Sequence, residues 1–343
     1  MSYIYLTKIS LMYDFRYRAN DFELAKTLSF LPEKIFDFHA HIQGAPDRNG
    51  QTPGFYTGGP GLVSIADWRK GFADLFQCSS FTEGLFFPGV FLHADTRSSN
   101  NYLVEELEKN PGSRGLVLVS PSDSEEVIRS FLAHPQVVGM KPYYMYTTEP
   151  DMLQTSIRGF FPEWMWRVAG DTGSIIMMHL MRDKAVADPL NIAEIREMCT
   201  RYPSLKLILA HVGRSFHSPN VKGIDQVSDL PNVWYDMSAV CEPEAMIYLL
   251  KKLGSSRLLW GSDFPLSHMR ARPVTIGSGF IWIEETAINP DEHPFASLTM
   301  LSVESLRALQ NACEITGLNR GEIDNIFYGN AMKIINLNTQ TKL

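Results

Sequence analysis

The 343-residue chain contains only four cysteines, Cys78, Cys199, Cys241 and Cys313. They are widely scattered with no Cys-x-x-Cys pair, which excludes a zinc ribbon and leaves reduced thiols that fill core space. No apolar run is long enough to span a bilayer, and the N-terminal Met-Ser-Tyr-Ile-Tyr-Leu-Thr-Lys lacks a basic region followed by an apolar one. A membrane partner is therefore not expected, and the expected compartment is the cytoplasm. Basic runs interleaved with aromatics are also missing, and the net charge of -7 is spread rather than blocked, so nothing invites nucleic acid. No Gly-x-Gly-x-x-Gly follows the first strand candidate, which argues against a doubly wound dinucleotide-binding sheet. Low-complexity linkers are absent too, and residues 1–343 read as one embellished domain.

What is present is an ordinary globular balance, 45% hydrophobic and 20% charged. From residue 35 onward, short apolar runs at 35–42, 85–92, 115–120, 137–142, 174–180, 206–211, 233–237 and 258–263 alternate with amphipathic stretches. Most of these runs are apolar at successive positions, as parallel strands buried on both faces should be. Helical spacing links Val127, Ile128, Phe131 and Leu132 behind the caps Ser122 and Asp123, then Ile192, Ile195, Cys199 and Tyr202. It appears again in Met246, Leu249, Leu250 and Leu253, between Pro243 and Gly254. Strand then helix, repeated in this way, predicts a (β/α)8 TIM barrel with its core at about 35–300. Around it the sequence predicts a short N-terminal helix over 21–31 and a long first loop over 43–80, rich in Gly and Pro at 52–61. That loop could serve as a lid or as the contact of a homodimer. Residues 264–343 are expected to supply the last barrel helix and further helices, with Val303, Leu306 and Leu309 on one and Ile323, Ile326 and Phe327 on another.

The residues that end the strands carry the chemistry. In Ile-Phe-Asp-Phe-His-Ala-His-Ile the period of two turns His39 and His41 to one face and Phe38 and Ala40 to the other. Paired neutral imidazoles suit a divalent metal. Lys141 ends the fourth run, His179 the fifth, His211 the sixth and Asp263 the eighth. Strand ends of a barrel meet at one mouth, so His39, His41, His179 and Asp263 form a candidate site of three nitrogens and one carboxylate. Zinc comes first for such a set, which also admits manganese, iron or cobalt. Tyr143, Tyr144, Arg182 and Arg214 follow strands and should ring the mouth, where an arginine fork could grip a substrate carboxylate. His93 follows the second run as a supporting residue. His134, His217, His268 and His293 read as surface or loop residues, and Trp164 and Trp166 as packing.

The His-x-His strand, Met-His-Leu at 178–180, Ala-His-Val-Gly at 210–213, Trp-Gly-Ser-Asp-Phe-Pro at 260–265 and Phe-Tyr-Gly-Asn-Ala at 327–331 resemble, in this order, the amidohydrolase superfamily. The similarity is to its amidohydrolase-related branch, which includes metal-dependent hydrolases and enzymes of the aminocarboxymuconate-semialdehyde decarboxylase type. The resemblance implies one metal ion on His39, His41, His179 and Asp263, with His211 as a nearby acid, base or polarising group. A lysine at the position of Lys141 bridges two metals as a carbamate in other amidohydrolases; here the setting implies a cation that pairs with a substrate carboxylate or a nearby acid. The first expectation is hydrolysis of a small, carboxylated substrate, with metal-activated water attacking a carbonyl and Asp263 taking the proton. The alternative is a non-oxidative decarboxylase on the same ligands, with His211 assisting protonation of carbon. A third, non-enzymatic expectation is a metal-binding scaffold without turnover.

Overall fold

The computed structural model of the protein describes residues 17–44, 62–91, 95–289 and 291–341. Parallel strands follow one another in chain order around one sheet: β1 Ile35–Ile42, β2 Phe81–Pro88, β3 Arg114–Val119, β4 Val137–Pro142, β5 Ile175–Met178, β6 Lys206–Leu209, β7 Val233–Asp236 and β8 Leu258–Leu259. The ring closes through the residues just after β8. The Phe38 amide donates to the Trp260 carbonyl at 3.0 Å, the Asp263 amide to the His39 carbonyl at 2.7 Å, and the His41 amide to the Phe264 carbonyl at 2.6 Å. This is the (β/α)8 barrel expected from the alternation of apolar runs.

The connecting helices obey the same physics that makes them legible. In helix Ile65–Phe76 the buried Ile65, Trp68, Phe72 and Leu75 recur at helical spacing, and Ser64 caps the start by accepting from the Asp67 amide. Helices Glu125–Leu132, Pro189–Arg201 and Pro243–Leu253 lie where the periodicity puts them. Trp166 is buried in helix Glu163–Thr172, its indole N–H donating to the Phe161 carbonyl at 3.1 Å, and Trp164 packs against the same core.

Strand β1 departs from simple alternation. Its pairing with β2 shifts register between Asp37 and Ala40, the signature of a bulge. Phe36 and Phe38 therefore share a buried cluster with Phe87, the ring on which His39 and His41 also pack. Phe38, expected on the face opposite the histidines, thus joins their side of the sheet. Ile35, Ala40 and Ile42 belong to the other cluster, with Trp68 and Phe72.

Several boundaries differ from expectation. The second strand is Phe81–Pro88 rather than 85–92, because Val90 and Phe91, though buried, belong to the chain leaving the strand. The N-terminal helix is Ala19–Lys26. The sixth unit replaces its helix with a tight turn, positive in φ at His211, Val212, Gly213 and Arg214, and a 3-10 segment Ser218–Gln226. Between β8 and the next helix stands an antiparallel hairpin, β9 Ala271–Ile276 and β10 Gly279–Glu284, where only helices were expected. The intervening Gly277-Ser278 is its turn, with Gly277 at φ 57°. The C-terminal helices are as expected: Val303, Leu306 and Leu309 are buried on Leu301–Thr316, and Ile323, Ile326 and Phe327 lie on the segment entering Asn330–Thr341. His217 and His268 are buried, not superficial; His268 sits against Phe72 and Phe264 at 5.0 and 4.9 Å between ring centroids. Residues 45–61 of the first loop, which include its Gly/Pro-rich stretch at 52–61, and His93 lie outside the described residues. No helix among the described residues is long and apolar enough to cross a membrane.

Close strand packing sets one sharp constraint. A Cβ at Gly139 on β4 would stand 1.8 Å from the Ile175 carbonyl oxygen on β5. Gly139→Ala is expected to lower unfolding stability by about 1–3 kcal/mol, whereas Gly279→Ala, facing open space, should stay within about 0.5 kcal/mol of wild type. Denaturant midpoints of the two variants measure the difference.

Candidate metal centre

His39 and His41 leave β1 on one face, and the closure of the ring brings Asp263 against both. The Asp263 Oδ1 atom lies 3.3 Å from His39 Nε2 and 3.4 Å from His41 Nε2. All three residues are buried, and their ligand atoms lie within 4.8 Å of one another. Ligand atoms that share one ion stand about 3–3.5 Å apart, so this spacing fits a cation between them better than direct hydrogen bonds. The other nitrogen of each ring supports the same reading. His39 Nδ1 faces Asp236 Oδ2 at 2.9 Å and His41 Nδ1 faces the Pro88 carbonyl at 3.2 Å. With those acceptors taking the Nδ1 protons, each Nε2 turns its lone pair toward Asp263, the arrangement by which ligating histidines are oriented.

Asp236, at the end of β7, organises this region. Besides His39 it accepts from the His211 amide at 3.1 Å and from the Ser238 hydroxyl at 2.5 Å, while its second oxygen accepts from the Ser238 amide at 3.0 Å. Burial opposes its charge, but His39, His211 and the Ser238 hydroxyl together hold its carboxyl below the usual range. Asp37, beneath the bulge of β1, accepts from the Trp68 indole at 2.8 Å, the His39 amide at 3.0 Å and the Ser262 amide at 2.8 Å. Burial still pushes its carboxyl up to about 6. Sequence reasoning missed both acids. The available signal was an acid inside an apolar buried strand, Val-Trp-Tyr-Asp, where a carboxylate persists only when hydrogen-bonded.

The other expected residues divide into two groups. His211 closes on the centre, its ring 5.0 Å from His39 and 5.2 Å from His179 between centroids. Its Nδ1 faces the Ser238 carbonyl at 3.0 Å, and burial pushes its pKa down to about 4. It is a neutral imidazole at pH 7. His179 borders the same space beside the stacked Tyr143 and Tyr144, at 5.2 and 5.5 Å between centroids. Burial, then His211 and Arg214, hold it well below the ordinary range, and its buried Nδ1 has no hydrogen-bond partner among the described residues. It does not join the three-residue cluster. Lys141 is fully buried, its Nζ without a hydrogen-bond partner among the described residues and 4.8 Å from the centre of the Phe87 ring. Burial lowers its pKa to about 8, although Asp263 and Asp236 pull the other way.

Of the two arginines, Arg182 is engaged locally. Its Nε donates to Asp188 at 2.9 Å and its Nη1 to the Gln154 carbonyl, and Asp188 in turn caps helix Pro189–Arg201. Arg214 pairs with no acid among the described residues; it donates to the Arg182 carbonyl at 3.1 Å. Burial lowers its pKa, while Tyr144 and Tyr143, themselves stacked on one another, and Asp183 raise it.

A family model described as Amidohydrolase matches residues 36–337. The chain belongs to the amidohydrolase family. No curated protein matches it. Among solved structures, 2,6-dihydroxybenzoate decarboxylase from Rhizobium is 13% identical with a TM-score of 0.58, over 89% of this chain and 99% of that one. The 5-carboxyvanillate decarboxylase from Sphingomonas paucimobilis is 12% identical with a TM-score of 0.56, over 89% and 99%. A dihydroxybenzoic acid decarboxylase from Polaromonas sp. JS666, with bound manganese and 2-nitroresorcinol, is 16% identical with a TM-score of 0.53, over 89% and 97%. At these identities the likeness establishes the shared fold of the amidohydrolase.

Removing a ligand should remove the ion. His41→Ala and Asp263→Ala are expected to lose bound metal by elemental analysis, and Asp236→Asn to keep one site with affinity about 10–100-fold weaker in chelator competition. A full metal load in Asp263→Ala would contradict the ligand assignment.

Proposed function

We propose that this amidohydrolase is a metal-dependent, non-oxidative decarboxylase of a hydroxylated aromatic or conjugated acid, and that manganese is its ion. The hydrolysis expected first from the sequence has less support than the decarboxylation expected second. The observation that carries the choice is Arg214, a cation that makes no close ion pair with an acid among the described residues and feels only the more distant Asp183, set near stacked Tyr143 and Tyr144 at the edge of the centre. A flat, anionic ligand complements a cation framed by aromatic rings. The fold neighbours that decarboxylate dihydroxybenzoate and carboxyvanillate, and the manganese of the Polaromonas structure, support the same reading.

His39, His41 and Asp263 would hold the ion, with His179 at its border; once bound, it polarises substrate oxygens and stabilises the negative charge they develop. The chain's own groups supply the rest. Arg214 binds the carboxylate, and Lys141 is free to pair with another oxygen of the acid. His211, neutral and fixed through Nδ1 on the Ser238 carbonyl, offers its remaining nitrogen to the substrate hydroxyl. It takes that proton and returns it to the ring carbon bearing the carboxylate. The carbon–carbon bond then breaks, its electron pair restoring the ring as a phenolate. Carbon dioxide departs, and the phenolate takes a proton from solvent on release.

Manganese-loaded protein is expected to release carbon dioxide from members of a hydroxybenzoate panel. Turnover of lactones or amides with no carbon dioxide from any acid would overturn the proposal. Arg214→Gln is expected to raise KM about tenfold or more while changing kcat less, because the lost contact is to the unreacted carboxylate as much as to the transition state.

A further inference from the structure

The hairpin β9–β10 builds a wall on the mouth that neither the ion nor the proton transfer uses. Phe280 and Trp282, two residues apart on β10, share one face of the strand. Both rings meet Phe216, at 5.3 and 5.4 Å between centroids. Phe216 is itself stacked on His211 at 5.2 Å and 30°. Phe280 also covers Arg214, whose guanidinium carbon lies 5.5 Å from the ring centroid. With one edge on the Arg182 carbonyl and one face on Phe280, the planar fork of Arg214 is fixed and its remaining N–H groups are directed by that clamp.

The wall is anchored from several elements. The Thr275 amide donates to Glu242 at 2.6 Å and the Ser218 amide to the Thr275 hydroxyl at 3.1 Å. Arg272 donates to the Cys241 carbonyl at 3.1 Å and to Glu304 at 3.3 Å, and Arg18 pairs with Glu285 just beyond β10. Both ends of the hairpin are thus tied to the barrel, and Phe280 is held in place over the guanidinium.

We infer that Phe280 is the positioning residue for Arg214, and that with Phe216 it sets a preference for carboxylates carried on a planar ring over those on a puckered one. The inference rests on the carboxylic-acid substrate proposed above and adds what selects it. A ring packed against the aromatic wall of Phe280, Trp282 and Phe216 presents its carboxylate edge to the clamped fork; a puckered ring of the same size loses that contact and misplaces the carboxylate.

The test is calorimetric binding of benzoate and of cyclohexanecarboxylate, which differ in the ring alone, to the manganese-loaded protein; it needs no turnover. Wild type should bind benzoate about tenfold or more tightly than cyclohexanecarboxylate. Phe280→Leu and Phe280→Met should reduce that ratio toward one with metal content unchanged, Phe280→Tyr should restore it, and Ile281→Ala, on the opposite face of β10, should leave it intact. A wild-type ratio near one, or a full ratio retained in Phe280→Leu and Phe280→Met, overturns the inference. Ring preference without carbon dioxide release would sink the decarboxylase proposal alone, and carbon dioxide release without ring preference would sink this inference alone.

Discussion

One hydrogen bond does more than any other to make the site: the amide of Asp263 donating to the carbonyl of His39 at 2.7 Å. It belongs to the set that closes the ring of strands after β8, so barrel closure and assembly of the centre are one event. The same bond holds Asp263 at a φ of 61°, a left-handed backbone that a non-glycine residue adopts only when its surroundings impose it. The carboxylate then stands against both imidazoles of β1. Two further hydrogen bonds, from Phe38 to Trp260 and from His41 to Phe264, brace the same seam on either side.

Backbone cost and buried charge gather where the chemistry is. His211, Val212 and Arg214 also have positive φ, and for a β-branched residue such as Val212 this conformation costs of order 1–3 kcal/mol. The turn uses that energy to aim His211 at the centre and Arg214, three residues on, at its rim, which a regular helix after β6 would not do. Asp37 and Asp236 show the complementary expense, carboxylates taken out of water and tolerated because amides, hydroxyls and an indole satisfy them. Each of these acids contacts His39, one through its amide and one through its ring. A residue held from both sides in this way keeps its orientation whether or not an ion is bound.

The barrel was legible because parallel strands buried on both faces write continuous apolar runs, and because the helices of Glu125–Leu132 and Pro243–Leu253 write clean stripes. The histidines and Asp263 were legible because they are polar residues placed where apolar runs stop. What stayed hidden followed from weaker signals. The bulge in β1 leaves no mark in a string of apolar residues, so the side taken by Phe38 was misjudged. Hairpin β9–β10 is half-exposed and carries Pro273 inside a strand, which blurs both its alternation and its apolarity. Asp236 looked like one acid among many, since its value lies in hydrogen bonds to His39 and His211, partners far away in the chain. His268 and Tyr17, brought together at 3.1 Å, are 251 residues apart and share no motif.

The central claim is that His39, His41 and Asp263 enclose one cation. Anomalous diffraction at the manganese edge from manganese-loaded crystals tests it directly. The account predicts a single strong peak bounded by the Nε2 atoms of His39 and His41 and the carboxylate of Asp263, within reach of His179. A map with no peak there, and with the two imidazoles instead donating hydrogen bonds straight to Asp263, would contradict it.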